Sequence, residues 1–433
     1  MRLLFLGLQS ILFISGFTTA YAQNTIRLPL HEAERQSAYY SRQTANVSSD
    51  QLYMVQPGFS FTSLSLRIPG DATFKGAFVV VRQDTVFLQA DEHTSPEVSY
   101  QVANLLVFDQ PVEQFKFYSA TLRGEISFSF INASGEKNNN SPALRTNRSH
   151  RAAATCEEPD FVPQEEWRVG LPAPTYTRRA TSVEHVIVHH AATSNTLTDY
   201  ENVVRNIYLF HTQDRGWSDI GYNYLIAQDG TIFEGRSAGS QSVDNDNVQG
   251  AHFCGQNGGT MGICLLGNFN TAEPTDTAVA SLERLTAWKV DKEGLDPLGQ
   301  RTHPANSSLE TIAGHRDGCA TECPGDNLYA RLEAIRTSVA ARVATGCEVL
   351  AETSDSLLVF PIPVAGALSI RLPDSVVVRQ VRMYDMAGKQ WSVSTSSINE
   401  RTFTVDTQPL ATGLYVLHLW GTGFDERRKV LVQ

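Results

Sequence analysis

The apolar pattern of this chain changes period twice, so its 433 residues pose three folding problems rather than one continuous core. From about residue 24 to 132, apolar residues come in short alternating bursts separated by polar breaks: FTSLSLRI, GAFVVV, TVFLQA, ANLLVF, QFKFYSATL and EISFSFI. Period two puts successive side chains on opposite faces of a half-buried strand, so residues 23–132 are expected to form an N-terminal all-β module. A polar, asparagine-rich stretch over 133–155 reads as a linker. From 156 to 347 the pattern mixes periods. EHVIVHHAA is a buried strand running into a loop, and LTDYENVVRNIYLFHTQ places Tyr200, Val203, Val204, Ile207, Tyr208 and His211 at helical spacing. YNYLIAQDGTIFEGR reads as a hairpin turning at Asp229-Gly230, and GICLLGNF as a further strand. AVASLERLTAWKVDKEG and NLYARLEAIRTSVAARV read as helices, the first ending at Gly294. That alternation predicts an α/β domain with a mixed β-sheet flanked by helices. Alternation returns after 354 in ALSIRL, TFTVD and GLYVLHLWG, which predicts an Ig-like β-sandwich over 354–433.

The first 22 residues carry one arginine, a short apolar run and the small-residue site Ala20-Tyr21-Ala22. This is the pattern of a secretory signal peptide, so the mature chain is expected to begin at Gln23 and to be exported. No later segment approaches the roughly 18–20 apolar residues of a membrane helix, so no membrane span is expected in the mature chain. With 35 basic against 46 acidic residues, the formal charge is -11. That charge argues against nucleic acid as a partner and against electrostatic attachment to anionic lipid. Six cysteines in an oxidising compartment suggest three disulfides. Giving one of them to a metal would leave an odd number.

GHRDGCATECPG, residues 314–325, is where that arithmetic matters. It is either a disulfide anchor or half of a metal site. A catalytic zinc takes three protein ligands from strand ends or loops and keeps a fourth position open. His189 and His190 stand at such a strand end, and His315 and Cys323 flank a turn that can bring both side chains to one point. A disulfide explains the same stretch equally well.

Four segments in order, VIVHHAAT, WSDIGYNYLIAQDGTIFEGR, GAHFCGQNGGTMGICLLGNF and IAGHRDGCATECPG, resemble the peptidoglycan recognition protein family over roughly residues 160–345. Catalytic members of that family are zinc-dependent N-acetylmuramoyl-L-alanine amidases of the type 2 class. The resemblance implies one Zn2+ per chain, held by His189, His315 and Cys323, with His190 a neighbour. It implies that Tyr222 contacts the zinc-bound water or the scissile carbonyl, and that Thr321 stands near the oxyanion. His252 and Asn268 match positions lining the muropeptide groove, and Trp217 is either core or a sugar platform. Such a site would hydrolyse the amide between the lactyl group of muramic acid and L-alanine in peptidoglycan. Relatives that lack activity commonly replace the cysteine ligand, which this chain keeps. The alternative is a peptidoglycan-binding or adhesion protein that uses the same groove without hydrolysis. Glu322 is the only acid beside Cys323 to protonate the leaving amine. His211, on the helix's apolar stripe, is expected to be packed, and Asp317 either orients a ligand or caps a turn. Cys254 with Cys264, and Cys156 with Cys347, can pair, which would leave Cys319 over.

The C-terminal segment resembles the sorting domain of the type IX secretion system. VFPIPV parallels that family's Pro-Asn-Pro-Val start with Ile362 in place of asparagine, followed by MYDMAGK, LATGLYVLHL and KVLVQ. The implied partners are the type IX machinery and peptidoglycan or muropeptides, and the implied location is outside the cell or on its surface, through the periplasm.

Overall fold

The computed structural model describes residues 25–91, 99–134, 156–175, 178–238 and 245–347, then 358–360, 364, 366–372, 378–397, 402–421 and 424–432. The expected signal peptide, residues 1–22, and residues 135–155 of the polar stretch lie outside the described residues. The alternating bursts of the first segment become two sheets. One has the strand order Ile26–Arg27, Gln51–Val55, Phe115–Ser119, Ala77–Val81, Asp84–Phe87. The other runs His31–Ser37, Tyr40–Val47, Gly124–Ile131, Phe61–Pro69, Tyr100–Val102, with Leu106–Val112 also paired to Phe61–Pro69. Every second residue points inward, so Val55, Val79 and Phe117 of the first sheet share a core with Leu64, Leu66, Phe128 and Phe130 of the second.

The mixed segment builds a five-stranded sheet in the order Ile232–Glu234, Tyr224–Ile226, Thr260–Leu265, His185–His190, Ile312–Gly314. Only the first pair is antiparallel. It is the expected hairpin, turning at Gly230 with φ 88°. All six residues of His185–His190 are buried, as befits an inner parallel strand covered on both faces. The Asp276–Glu293 helix starts where the Thr275 hydroxyl accepts from the Ala278 N–H at 3.2 Å, and it stops at Gly294 with φ 65°. The Asp326–Ala344 helix packs against it, with Glu283 accepting from Ser338 at 2.7 Å.

The Tyr200–Leu209 helix positions the site and is buried well beyond its apolar stripe: every residue from Asn202 to Leu209 is covered. One side faces the central sheet, and another packs on the N-terminal β module. Val203, Val204 and Ile207 share a core with Val102, Leu105, Val107 and Ile131. Polar helix residues are matched as well. Thr62 donates to the Asn206 side chain at 2.8 Å, and Arg205 donates to the Ala133 carbonyl at 3.1 Å. The helix then widens into a π-turn, Phe210–Asp214, whose last residue carries a carboxylate with no exposed side-chain surface. A buried charge needs partners. The Tyr40 hydroxyl donates to Asp214 at 2.7 Å, Ser129 also bonds it, and the Arg42 and Arg67 guanidinium groups lie 3.4 and 3.2 Å away. Next along, Arg215 pairs with Asp91. The β module and the α/β segment therefore form one compact unit that ends at Gly346.

Cys347–Gln433 form a second unit. Its sheets run Leu358–Phe360, Ala367–Arg371, Thr402–Asp406, Thr395–Ser397 and Gln390–Trp391, Val378–Asp385, Gly413–Gly421, Phe424–Val432. Leu368, Ile370 and Val405 of one sheet share a core with Met383, Leu417, Leu419 and Val430 of the other. Among the described residues, no helix is long and apolar enough to cross a membrane.

Buried acids make the first unit sensitive to pH. Burial, and then the Asp246 carboxylate, push Glu158 up to about 8 from 4.5, while the Tyr224 hydroxyl donates to it at 3.3 Å. Burial likewise raises Glu234 to about 7 and Asp219 to about 6. A carboxyl whose folded pKa is raised stabilises the fold fully below its unfolded value, and that contribution fades as pH rises through the folded one. For Glu158 the window is pH 4.5 to about 8. Glu158→Gln should therefore melt like the parent below pH 5 and higher than it at pH 8. Each kcal/mol corresponds to about 1.5 °C in a unit of this size. Parallel melting curves across the range would show that Glu158 ionises freely in the fold.

Candidate metal centre and cleft

Two neighbouring parallel strands end side by side, with Val188 in register with Gly314. One residue further along each stand His189 and His315, their ring centroids 4.5 Å apart. Successive strand residues face opposite ways, which separates His189 from His190. His190 turns to the other face, where its Nδ1 accepts from the Phe269 N–H at 3.2 Å. Cys323 returns on the loop after His315. The Arg316 N–H donates to the Cys323 carbonyl at 3.0 Å, and the Asp317 carboxylate accepts from the Gly314 N–H at 2.7 Å and from the Tyr329 hydroxyl at 2.6 Å. Asp317 thus caps the turn. Cys323 Sγ lies 3.7 Å from His189 Nδ1 and takes the His190 N–H at 3.4 Å.

The donor atoms of His189, His315 and Cys323 all lie within 4.8 Å of one another, and all three residues are buried. Zinc–nitrogen and zinc–sulfur bonds of roughly 2.0–2.3 Å in a tetrahedron put ligand atoms about 3.3–3.6 Å apart. Two imidazoles and a thiol at this spacing fit a zinc ion. The other ring nitrogen of His189, Nε2, lies 3.1 Å from His252 Nδ1, and His252 Nε2 lies 3.3 Å from the Thr260 hydroxyl. A ligand histidine is oriented by what its second nitrogen bonds, so this contact presents Nδ1 toward Cys323. His252 is 3% exposed and sits against His189 rather than on an open groove surface. Its ring occupies space cleared by glycine, because a Cβ on Gly262 would stand 2.6 Å from it. No spacing rule in the sequence reveals that contact.

The cysteines resolve differently from the expected pairing. Cys254 is bonded to Cys319, which ties the loop after His252 to the turn after His315. Cys264 cannot reach that loop. It sits within the Thr260–Leu265 strand as a buried thiol, hydrogen-bonded to Tyr222, and burial pushes its pKa far up. Cys156 and Cys347 are both disulfide-bonded. Two cysteines, Cys264 and Cys323, therefore remain as thiols, and the parity objection to a metal disappears.

A row of rings leads from the donor set into a cleft. Tyr222 lies 5.2 Å from His189, His211 lies 5.7 Å from Tyr222, and Trp217 lies 4.6 Å from His211, all between centroids. His211 is packed, as expected, and its Nδ1 accepts from the Gly221 N–H at 3.1 Å. Trp217 is half-buried over His211. Thr321 is also half-buried, and its hydroxyl oxygen accepts from the Cys323 N–H at 3.1 Å. Asn268 belongs to the loop beyond the sheet, where its Oδ1 accepts from the Asn270 N–H at 3.0 Å. Glu322 is exposed and accepts from the Asn270 side chain at 3.3 Å, bonded outside the donor set.

Residues 179–326 match the family described as N-acetylmuramoyl-L-alanine amidase, and residues 358–433 match the secretion system C-terminal sorting domain. Peptidoglycan-recognition protein SC2 of Drosophila simulans is 33% identical over 171 residues, 39% of this chain and 82% of that protein. Peptidoglycan recognition protein 1 of Mus musculus is 33% identical over 173 residues, 39% of this chain and 84% of that one. Among solved structures, Drosophila PGRP-LB aligns at 30% identity over 40% of this chain and 91% of that chain, with a TM-score of 0.32.

Proposed function

This chain belongs to the peptidoglycan recognition protein family and carries a type IX sorting domain, and from that premise we propose that it is a secreted zinc-dependent N-acetylmuramoyl-L-alanine amidase. The observation that carries the reading is the buried His189, His315 and Cys323 donor set opening beside Tyr222. Zinc held there would supply a Lewis acid that polarises the scissile carbonyl and lowers the pKa of bound water toward roughly 7. The chain's own residues do the rest. His252 fixes the His189 ring, and the His190 N–H bonds the Cys323 sulfur and holds it in place. Tyr222 donates to the oxygen that becomes negative when the amide carbonyl is attacked, with the Thr321 hydroxyl as a second donor. Net hydrolysis adds one water, leaving a lactyl carboxylate on muramic acid and a free amine on L-alanine. Asn268 and Trp217 are assigned to the substrate. In this reading the two sheets of 23–132 form a β-sandwich module fused to the amidase of 156–347, and 354–433 is an Ig-like sandwich that serves export.

Digestion of purified peptidoglycan by the full-length mature chain, with and without chelator, tests the proposal by mass analysis of the products. Release of stem peptides starting with free L-alanine, abolished by chelator and restored by zinc, is expected. Tight binding with no release would make the chain a peptidoglycan binder. Export has its own test. After cleavage of the 1–22 signal peptide, deletion of 354–433 should leave active amidase in the periplasm, whereas unchanged appearance outside the cell would remove the sorting role of that segment.

A further inference from the structure

The cleft over Tyr222 has two walls from different parts of the chain. Ala191 and Ala192, which continue the His189 strand, and His211 line one side, while Gln89, Ala90, Asp91, Asn104 and Leu105 of the N-terminal β module line the other. The second wall is rigidly held. The Asn104 N–H donates to the Gln89 carbonyl at 2.9 Å, the Gln89 N–H donates to the Asn104 side chain at 3.2 Å, and Ala90 bridges to Ala103. Asp91 is anchored by an ion pair with Arg215, with side chains only 9% and 7% exposed. The same module is fastened behind the cleft by the Asp214 cluster and the shared apolar core.

We propose that the β module is a structural part of the substrate site, and that its Gln89–Asp91 and Asn104–Leu105 wall receives an uncharged, amide-bearing portion of the muropeptide. This rests on the amidase reading above. The charge of Asp91 is neutralised by Arg215, so the wall offers the exposed Gln89 carboxamide beside the exposed Ala90 methyl. A carboxamide both donates and accepts, which matches a neutral amide and gives no preference to a carboxylate. Two parts of a muropeptide carry that chemistry, the acetamido group of the sugar and the backbone amides of the stem peptide.

The test uses the full-length mature chain and a purified N-acetylglucosaminyl-N-acetylmuramoyl tetrapeptide. Gln89→Ala should raise KM about 3- to 10-fold with kcat unchanged, the mark of an interaction made equally in ground and transition states. Ala90→Trp, which fills the cleft from the module side, should raise KM at least 10-fold with zinc content and melting temperature unchanged. Glu125→Ala, exposed on another strand of the module, should match the parent. Repeating the Gln89→Ala comparison with the de-N-acetylated fragment distinguishes the sources. Loss of the KM difference assigns the contact to acetamido, and persistence assigns it to the stem peptide. Binding of the same fragment to the chelated chain is measured in parallel. If the parent does not hydrolyse but Ala90→Trp weakens binding, the wall stands and the amidase reading falls. Parental KM and binding in both wall variants, with hydrolysis intact, would overturn the wall alone.

Discussion

Cys323→Ser should abolish amide hydrolysis and strip zinc from the purified chain, while insoluble peptidoglycan still pulls it down. The thiol lies 3.7 Å from His189 Nδ1 and is fully buried, and serine offers only a protonated hydroxyl that a borderline-soft ion binds weakly. Cys319→Ser is the informative contrast. Cys319 is joined to Cys254 across 65 residues, so its loss should lower stability by about 2–4 kcal/mol yet leave zinc in place and most turnover intact at low temperature. Elemental analysis, turnover and pull-down on both variants decide the matter. If the two variants behave alike and each keeps its zinc, Cys323 is not the ligand.

The second large effect belongs to Tyr222. Its hydroxyl is bonded to a thiol that burial keeps neutral, and its ring lies against a proposed ligand, so it is already oriented before substrate arrives. Tyr222→Phe should reduce kcat about 10²-fold, the usual consequence of losing one oxyanion donor, with KM and zinc content close to the parent. Parental kcat with a large rise in KM would move Tyr222 from the reaction to binding.

Strands and helices were legible because they depend on local pattern, whereas His189, His315 and Cys323 were singled out as a set by the family resemblance. HVIVHH is continuous and apolar because it is an inner parallel strand, and the HRD turn of His315 follows directly from a neighbouring strand. Contacts that join distant segments left weaker traces. Asn202, Arg205 and Asn206 look like the solvent face of an amphipathic helix, yet all three are buried, with Arg205 and Asn206 bonded to the β module. A polar residue reads the same whether water or a matched partner covers it, so the docking of the two segments was invisible. The same holds for His252, whose contact with His189 depends on two glycines making room. Cysteine pairing failed for a related reason. Cys254 and Cys264 are neighbours in sequence, but a strand residue pointing into a core cannot meet a loop residue on the surface.

The wide turn at Phe210–Asp214 sets a local preference against a global one. A regular helix would be the better local structure through these residues, since π geometry is rare and occurs mostly as single turns. Each α-helical residue advances by about 100°, so restoring regularity by dropping one residue would swing Asp214 away from Arg42, Arg67 and Tyr40. The same change would carry Arg215 away from Asp91 and loosen the far wall of the cleft. Chain length in this stretch is therefore under a constraint that composition is not. Side chains facing solvent can vary freely here, whereas a one-residue deletion would yield a more ideal helix and a less coherent enzyme.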